Sequence, residues 1–423
     1  MNKNTLATRF FNMFNFTSKR VDLGESARLN RKSFTRNRNL TCSRLLILIA
    51  SGIRLPLQLA SDNFFVTIGH KEDTVTKQAV SKARTNFNPD IIKELFIDTA
   101  KGFCKCNDLV LWNKKYRLCA IDGSDIALDN AFDLKEYFGC SGRSKNATTG
   151  MCSMAFDPLN NVILDASFDP YITDERTASK KHIGNVLKLP LKRGTHNLFL
   201  MDRGYPSREF IGELMNSKHK FVMRVRNKFN LDFDAVKNDE TVVFIWENKV
   251  YRVRVIKVTL ITGEIETLVT NLDQKELPKE QAGTIYFERW SIETKYDSLK
   301  NKLELGNFSG RRVVVVMQDF WATMYLANLI TSIECQTDSI IAAKTAEKDN
   351  KYEQTTNENR LISKFREAFF KCLLEVSVTK RNRMFKDLVD DIARRPAEIK
   401  PDRIARRKIP RKIKYHDRRK SVI

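Results

Sequence analysis

Tyr286, Arg289, Glu293 and Lys300 stand at offsets of 0, 3, 7 and 14 along the chain. On an α-helix turning about 100° per residue they fall near 0°, 300°, 340° and 320°, one narrow stripe. A stripe packed into a core would be apolar at this spacing, whereas this one carries a carboxylate between two cations with a phenol above. Such a set suits a site that holds a divalent cation and docks phosphates beside it. Taken alone, the spacing favours a solvated face with an Arg289 to Glu293 ion pair, worth only a few tenths of a kcal/mol.

Two further acids change that balance. Asp122 follows the apolar run 118–121 and opens Asp122-Gly123-Ser124; Asp202 follows the run 197–201 and opens Asp202-Arg203-Gly204-Tyr205. Aspartate is a poor strand former and an unpaired buried charge is expensive, so strand-end acids call for a cationic partner. Three carboxylates, with no histidine or cysteine at zinc-ligand spacing, suit Mg²⁺ or Mn²⁺. Two such ions about 3.5–4 Å apart stabilise both the attacking and the leaving oxygen of an in-line phosphoryl displacement. Asp122, Asp202 and Glu293 would then be the metal ligands, and water or a DNA 3′-hydroxyl the nucleophile. The eight cysteines are scattered and read as reduced thiols.

The elements that must bring these acids together follow from the change of periodicity. Residues 118–122 read as a buried strand, 151–156 and 162–168 as a hairpin, 174–187 as a helix capped by Asp174, 197–202 as a strand, 206–217 as a helix and 221–226 as a strand. Three antiparallel strands followed by helix, strand, helix, strand is the order of the ribonuclease H fold. In that order the first and fourth strands are neighbours, and the helix bearing Glu293 packs across them. Residues 227–283 interrupt the alternation with three β-branched runs, at 242–246, 250–258 and 265–270, read as an inserted antiparallel unit. Residues 284–305 contain no Gly or Pro and read as one long helix. The fold class is therefore α/β: a ribonuclease H-like catalytic domain over 107–312 with a β insertion, a helical DNA-binding region over 1–106, and a helical region over 313–423 ending in a basic tail. In the first region, Thr76 can cap a helix with Gln78, Ser81 and Lys82 outward and Val80 and Ala83 inward. It resembles the second helix of a helix-turn-helix, with Gln78, Lys82 and Arg84 as DNA contacts, and is equally an amphipathic surface helix.

Charge identifies the partner class. The chain has 423 residues with 74 Lys+Arg against 51 Asp+Glu, a net +23, which points to a polyanion. At 42% hydrophobic residues it can bury a core, so a wholly disordered basic protein is excluded. A membrane span needs about 20 apolar residues in a row, and the longest run, 45–53, is far shorter. No secretory pattern opens the chain, so a cytoplasmic, nucleoid-associated bacterial protein with no membrane partner is expected. Ten Lys/Arg against two Asp in residues 401–423 read as a phosphate-binding arm.

Together, Ile121-Asp122-Gly123-Ser124, Leu200-Met201-Asp202-Arg203-Gly204-Tyr205 and Tyr286-x2-Arg289-x3-Glu293-x6-Lys300 resemble the DDE transposases of the insertion-sequence-four family. The resemblance runs over 116–312, and Leu305-x-Asn307-Phe308-Ser309-Gly310 and Gln318-Asp319-Phe320 share it. It implies Asp122, Asp202 and Glu293 as catalytic ligands of two Mg²⁺ ions, with Mn²⁺ able to substitute. It implies Tyr286, Arg289 and Lys300 as phosphate contacts near the scissile bond, Ser124 and Arg203 as supports of the adjacent acids, and Trp290 as a base-stacking side chain, the alternative reading being a core or interface aromatic. The implied partners are element ends and target as duplex DNA, held by a homodimer on paired ends in a cut-and-paste reaction. Two alternatives use the same residues differently: a structure-specific Mg²⁺-dependent endonuclease without strand joining, and a catalytically silent repressor derived from a transposase.

Overall fold

The computed structural model describes residues 25–35, 38–53, 55–73, 75–106, 109–142, 147–260, 263–346, 350–375 and 377–400. The basic arm expected over 401–423 lies outside them. The chain divides into two compact units, one made of Phe103–Ile126 and Thr149–Ser298, the other of Met1–Gly102, Ala127–Thr148 and Leu299–Ile423.

Among the described residues, nine strands form the main sheet: β1 Tyr116–Ala127, β2 Cys140–Ser141, β3 Ala147–Asp157, β4 Val162–Pro170, β5 His196–Met201, β6 Lys220–Val225, β7 Asp239–Trp246, β8 Lys249–Thr259 and β9 Ile265–Thr270. In the unit that carries the acids, β4 pairs antiparallel with β3, and β3 neighbours β1. β5 lies parallel to β1, and β6 parallel to β5. Leu118 to Ile121, Leu198 to Met201 and Phe221 to Met223 are all buried, continuous apolar runs of the kind that central strands covered on both faces require. Helix Glu175–Val186 leads into β5, its N-terminus capped by Asp174, which accepts from the Thr177 N–H at 3.0 Å. Helix Arg208–Asn216 leads into β6 and is capped by Ser207.

Three differences from the sequence reading bear on function. β1 continues past Asp122 to Ala127, so the acid is inside a strand and not at its end. The strands of 227–283 continue the main sheet, because β9 pairs antiparallel with β6, Val222 opposite Thr270, and β8 and β7 add outward from it. The single helix expected over 284–305 starts earlier and is broken. Helix Lys279–Phe287 passes into a 3₁₀ turn, Glu288–Trp290, and then helix Ser291–Asn301. The tighter turn carries Arg289 inward to 2% exposure.

The other unit is helical around Val313–Thr345, whose Phe320, Trp321, Met324, Tyr325, Leu329 and Ile333 are buried. Helices Cys42–Ala50, Phe132–Phe138, Glu358–Leu374 and Val378–Ala393 pack against it. By length and composition Val313–Thr345 could cross a membrane, yet 83% of its most apolar window is buried within the fold, as in a core helix. A search for unbroken apolar runs misses it because Gln318, Asp319, Thr323 and Asn328 interrupt the pattern. Those polar residues are buried and satisfied; Asn328 donates to Thr99 Oγ1 at 3.0 Å.

Candidate active site

The sheet register brings two acids together before any side chain is considered. The parallel pairing of β1 and β5 places Ile121 opposite Met201. The next residues, Asp122 and Asp202, therefore emerge side by side from strands about 4.8 Å apart. Each carboxylate accepts the N–H of its following residue, Gly123 to Asp122 Oδ1 at 3.0 Å and Arg203 to Asp202 Oδ1 at 2.6 Å. The Arg203 side chain itself is exposed.

The broken helix docks across this pair. Ile285, Ile292 and Tyr296 are buried and anchor it. Tyr296 Oη donates to the Asp122 main-chain oxygen at 2.9 Å and lies 3.1 Å from that of Cys152. Tyr286 Oη donates to Asp202 Oδ1 at 3.3 Å. The Arg289 guanidinium stands between two acids, Nη1 3.6 Å from Asp122 Oδ2 and Nη2 3.1 Å from Glu293 Oε1. Its carbon centre lies 5.0 Å from the Trp290 ring centroid, within cation–π reach. Asp122, Asp202, Glu293, Tyr286 and Arg289 are thus gathered at one place. Tyr286 and Arg289, expected at phosphates, here meet carboxylates from buried positions. Lys300 follows Glu293 by about two turns near the end of the same helix and is half-buried. Trp290 is 37% exposed, neither a core aromatic nor fully open.

Electrostatics follow from this crowding. Burial pushes the Asp122 carboxyl up to about 6; Asp202 and Glu293 add to the rise, and Arg289 and the Gly123 N–H oppose it. For Arg289, burial works against the charge, but Tyr286, Asp202, Glu293 and Asp122 together hold its pKa above the ordinary value. Despite these acids, Arg289 Nε and Nη1 are buried without a hydrogen-bond partner among the described residues. Orphaned cationic donors of this kind mark where a further anion can be received.

Two residues of this site have no role assigned from the sequence. Glu175 opens the helix after β4, and its carboxylate lies against the backbones that follow both acids. A Cβ on Gly123 would stand 3.5 Å from Glu175 Oε1, and one on Gly204 3.5 Å from Oε2. Burial first, then Asp125, Asp174 and Asp202, raise its pKa. Tyr205 is 1% exposed, and its hydroxyl has no hydrogen-bond partner among the described residues. Burial foremost, with Asp122, Glu175 and Asp202, pushes that phenol well above its usual range.

The DNA-contact residues expected on the amino-terminal helix divide. Helix Lys77–Arg84 forms, with Thr76 accepting from the Ala79 N–H and Gln78 and Lys82 exposed. Arg84 is corrected: at 1% exposure it points into the helical unit. Its Nη2 donates to Asp319 Oδ1 at 2.7 Å and its Nε to Gln318 Oε1 at 2.9 Å, and Nη1 meets the Ser309 hydroxyl. Asp319 also accepts from Ser309 N and Oγ, both at 2.6 Å. The cation is consumed by a buried carboxylate and is not available to phosphate, and the Ser309-Gly310 and Gln318-Asp319 motifs emerge as its partners.

The donor set suits a hard divalent cation: three carboxylates, no sulfur and no imidazole. Among the described residues no three His, Cys, Asp or Glu side chains are grouped at metal-holding distance, since Arg289 stands between Asp122 and Glu293.

The family model of the transposase DDE domain matches residues 113–329, just over half of the chain and inclusive of all three acids. No curated protein sequence matches it. Among solved structures, the piggyBac transposase in its synaptic complex with hairpin DNA is similar over 92% of this chain and 85% of that one, at 10% identity and a TM-score of 0.45. Adjacent strands delivering two aspartates, and a docked helix delivering a glutamate, are the parts that the matched model spans, and the chain belongs to the transposase DDE domain family.

Proposed function

We propose that this chain is a cut-and-paste DNA transposase that cleaves the ends of a mobile element and joins them to target DNA by phosphoryl transfer. Asp122, Asp202 and Glu293 are its catalytic carboxylates and would hold Mg²⁺, for which Mn²⁺ substitutes. The observation that carries this reading is the β1–β5 register, which sets Asp122 beside Asp202 under the helix of Glu293. The order β4-β3-β1-β5-β6 supports a ribonuclease H-like core, and the Tyr286 to Lys300 signature supports the insertion-sequence-four subgroup.

The chain's own residues have distinct tasks. Bound by the carboxylates, the cations supply the Lewis-acid charge that an in-line displacement at phosphorus requires. Tyr286 orients Asp202 through its hydroxyl. Arg289 compensates the acids, and its Nε and Nη1, which make no hydrogen bond among the described residues, would donate to an oxygen of the scissile phosphodiester. Lys300 adds charge further along the helix, Trp290 offers a half-exposed face for an unstacked base, and Gln78 and Lys82 face the duplex. The net charge of +23 fits a protein that handles two duplexes, with two chains on paired ends.

The test uses end-labelled DNA from either side of the coding sequence and a plasmid target, with Mg²⁺ or with EDTA. Joined product in Mg²⁺ alone is the expected result. Cleavage without joining would leave a nuclease, and neither product would refute the reading.

A further inference from the structure

Ser153 touches the Asp122 backbone, His182 and Asp165 stand behind it, and none of the three has a task in the reaction described above. Ser153 sits on β3, Asp165 on β4 where it pairs with Ala155, and His182 on helix Glu175–Val186. His182 Nδ1 lies 2.7 Å from Asp165 Oδ2, and Nε2 lies 3.0 Å from Ser153 Oγ. Ser153 Oγ donates to the main-chain oxygen of Asp122 at 3.3 Å. Asn185 Nδ2 donates to the same Asp165 oxygen at 3.0 Å. The residue types are those of a Ser-His-Asp nucleophile, but Ser153 and His182 are each 1% exposed and Asp165 is 8% exposed. No substrate reaches this hydroxyl, and it points at backbone.

Proton counting defines what the array does. A serine hydroxyl has one proton to give. When it goes to the Asp122 carbonyl, the serine oxygen is left to meet His182 Nε2, and His182 Nδ1 meets Asp165 on the other side of the ring. The array therefore runs unbroken from the Asp165 side chain to the Asp122 carbonyl, which also accepts from Tyr296.

We infer that Asp165, His182 and Ser153 form a positioning array that fixes the backbone at Asp122 and so aims its carboxylate. This rests on the reading of Asp122 as catalytic. The place is apt, because the pairing of β1 with β5 ends at Ile121, and Asp122 is the first residue beyond it. A misplacement of about 1 Å in a reacting group costs on the order of 100-fold in rate, and loss of a group that orients a metal ligand commonly costs about 10- to 100-fold.

The test uses the full chain with Ser153→Ala, His182→Leu and His182→Gln; the glutamine keeps an N–H that reaches toward Ser153. Single-turnover cleavage at saturating DNA, the Kd for that DNA, the Mn²⁺ half-saturation by electron paramagnetic resonance and the thermal midpoint are measured for each. Ser153→Ala and His182→Leu should cleave about 10-fold or more slowly, with unchanged Kd and weakened Mn²⁺ binding, and His182→Gln should recover most of the rate. Ser153→Ala is the mildest change, so the test survives a failure of His182→Leu to fold. Wild-type cleavage and Mn²⁺ binding in Ser153→Ala, or equal impairment in His182→Gln and His182→Leu, would overturn the inference. Asp122→Asn separates the two levels. If it retains cleavage, the catalytic assignment falls and the array's role with it; if it is inactive while Ser153→Ala is normal, only the array's role falls.

Discussion

Replacing Arg84 by alanine separates a buried structural cation from a DNA contact. The side chain is 1% exposed, and its guanidinium meets Asp319, Gln318, Ser309 and the Val315 carbonyl. Removing one partner of a buried ion pair costs about 3–5 kcal/mol, because the other charge stays buried. Asp319 would keep two donors, Ser309 N and Oγ, so the lower end, about 3 kcal/mol, is expected. In a unit of this size each kcal/mol moves the midpoint by about 2–4 °C, so Arg84→Ala should lower it by roughly 6–12 °C. The assay is thermal unfolding followed by circular dichroism, beside DNA affinity at two salt concentrations. Removing both charges together, as Arg84→Met with Asp319→Leu, should recover much of the loss. A surface arginine that touched phosphate would change stability by no more than about 0.5 kcal/mol while weakening DNA binding. An unchanged midpoint with weakened binding would refute the structural role.

Three further outcomes are expected. Burial works to raise the Glu276 carboxyl, but hydrogen bonds from Lys115, Tyr116 and Lys220 hold it near about 2, so its stabilisation is full above about pH 4.5 and is lost as pH falls toward 2; Glu276→Gln should cost about 1–3 kcal/mol at neutral pH and flatten that acid slope in urea titrations, and an unaltered slope would count against the cluster. Arg289 holds the Asp122 carboxyl down against burial, so Arg289→Gln should move the onset of Mn²⁺ binding above its wild-type pH, and an onset that stays put would show that the two do not couple. Deleting residues 401–423 should flatten the dependence of log K on log salt by about 0.9 for each phosphate the arm neutralises, while leaving sequence preference intact, and an unchanged slope would mean the arm meets no DNA.

The strands that carry the acids were legible because buried parallel strands leave continuous apolar runs, and 118–121 and 198–201 are such runs. Their register was not, although it is what sets Asp122 beside Asp202, because pairing between residues 80 positions apart leaves no local pattern. The stripe on the signature helix assumed one continuous helix, whereas a 3₁₀ turn at Glu288–Trp290 breaks it where Arg289 meets Asp122, a contact that spacing within one helix cannot express. Arg84 failed for the same reason. A basic residue on a polar-looking helix reads as surface until a carboxylate 235 positions away claims it. Ser153, His182 and Asp165 were opaque because each is unremarkable in its own segment and acquires meaning only when two strands and a helix converge.

The central claim is that Asp122, Asp202 and Glu293 act together on a phosphodiester. Single-turnover cleavage of labelled DNA flanking the coding sequence, in Mg²⁺, measured for Asp122→Asn, Asp202→Asn and Glu293→Gln beside gel-shift affinity for the same DNA, tests it most directly. Each substitution should reduce cleavage to background while affinity survives, because binding rests mainly on Lys and Arg contacts to phosphate. Wild-type cleavage in any one of the three variants would remove that residue from the site and contradict the assignment.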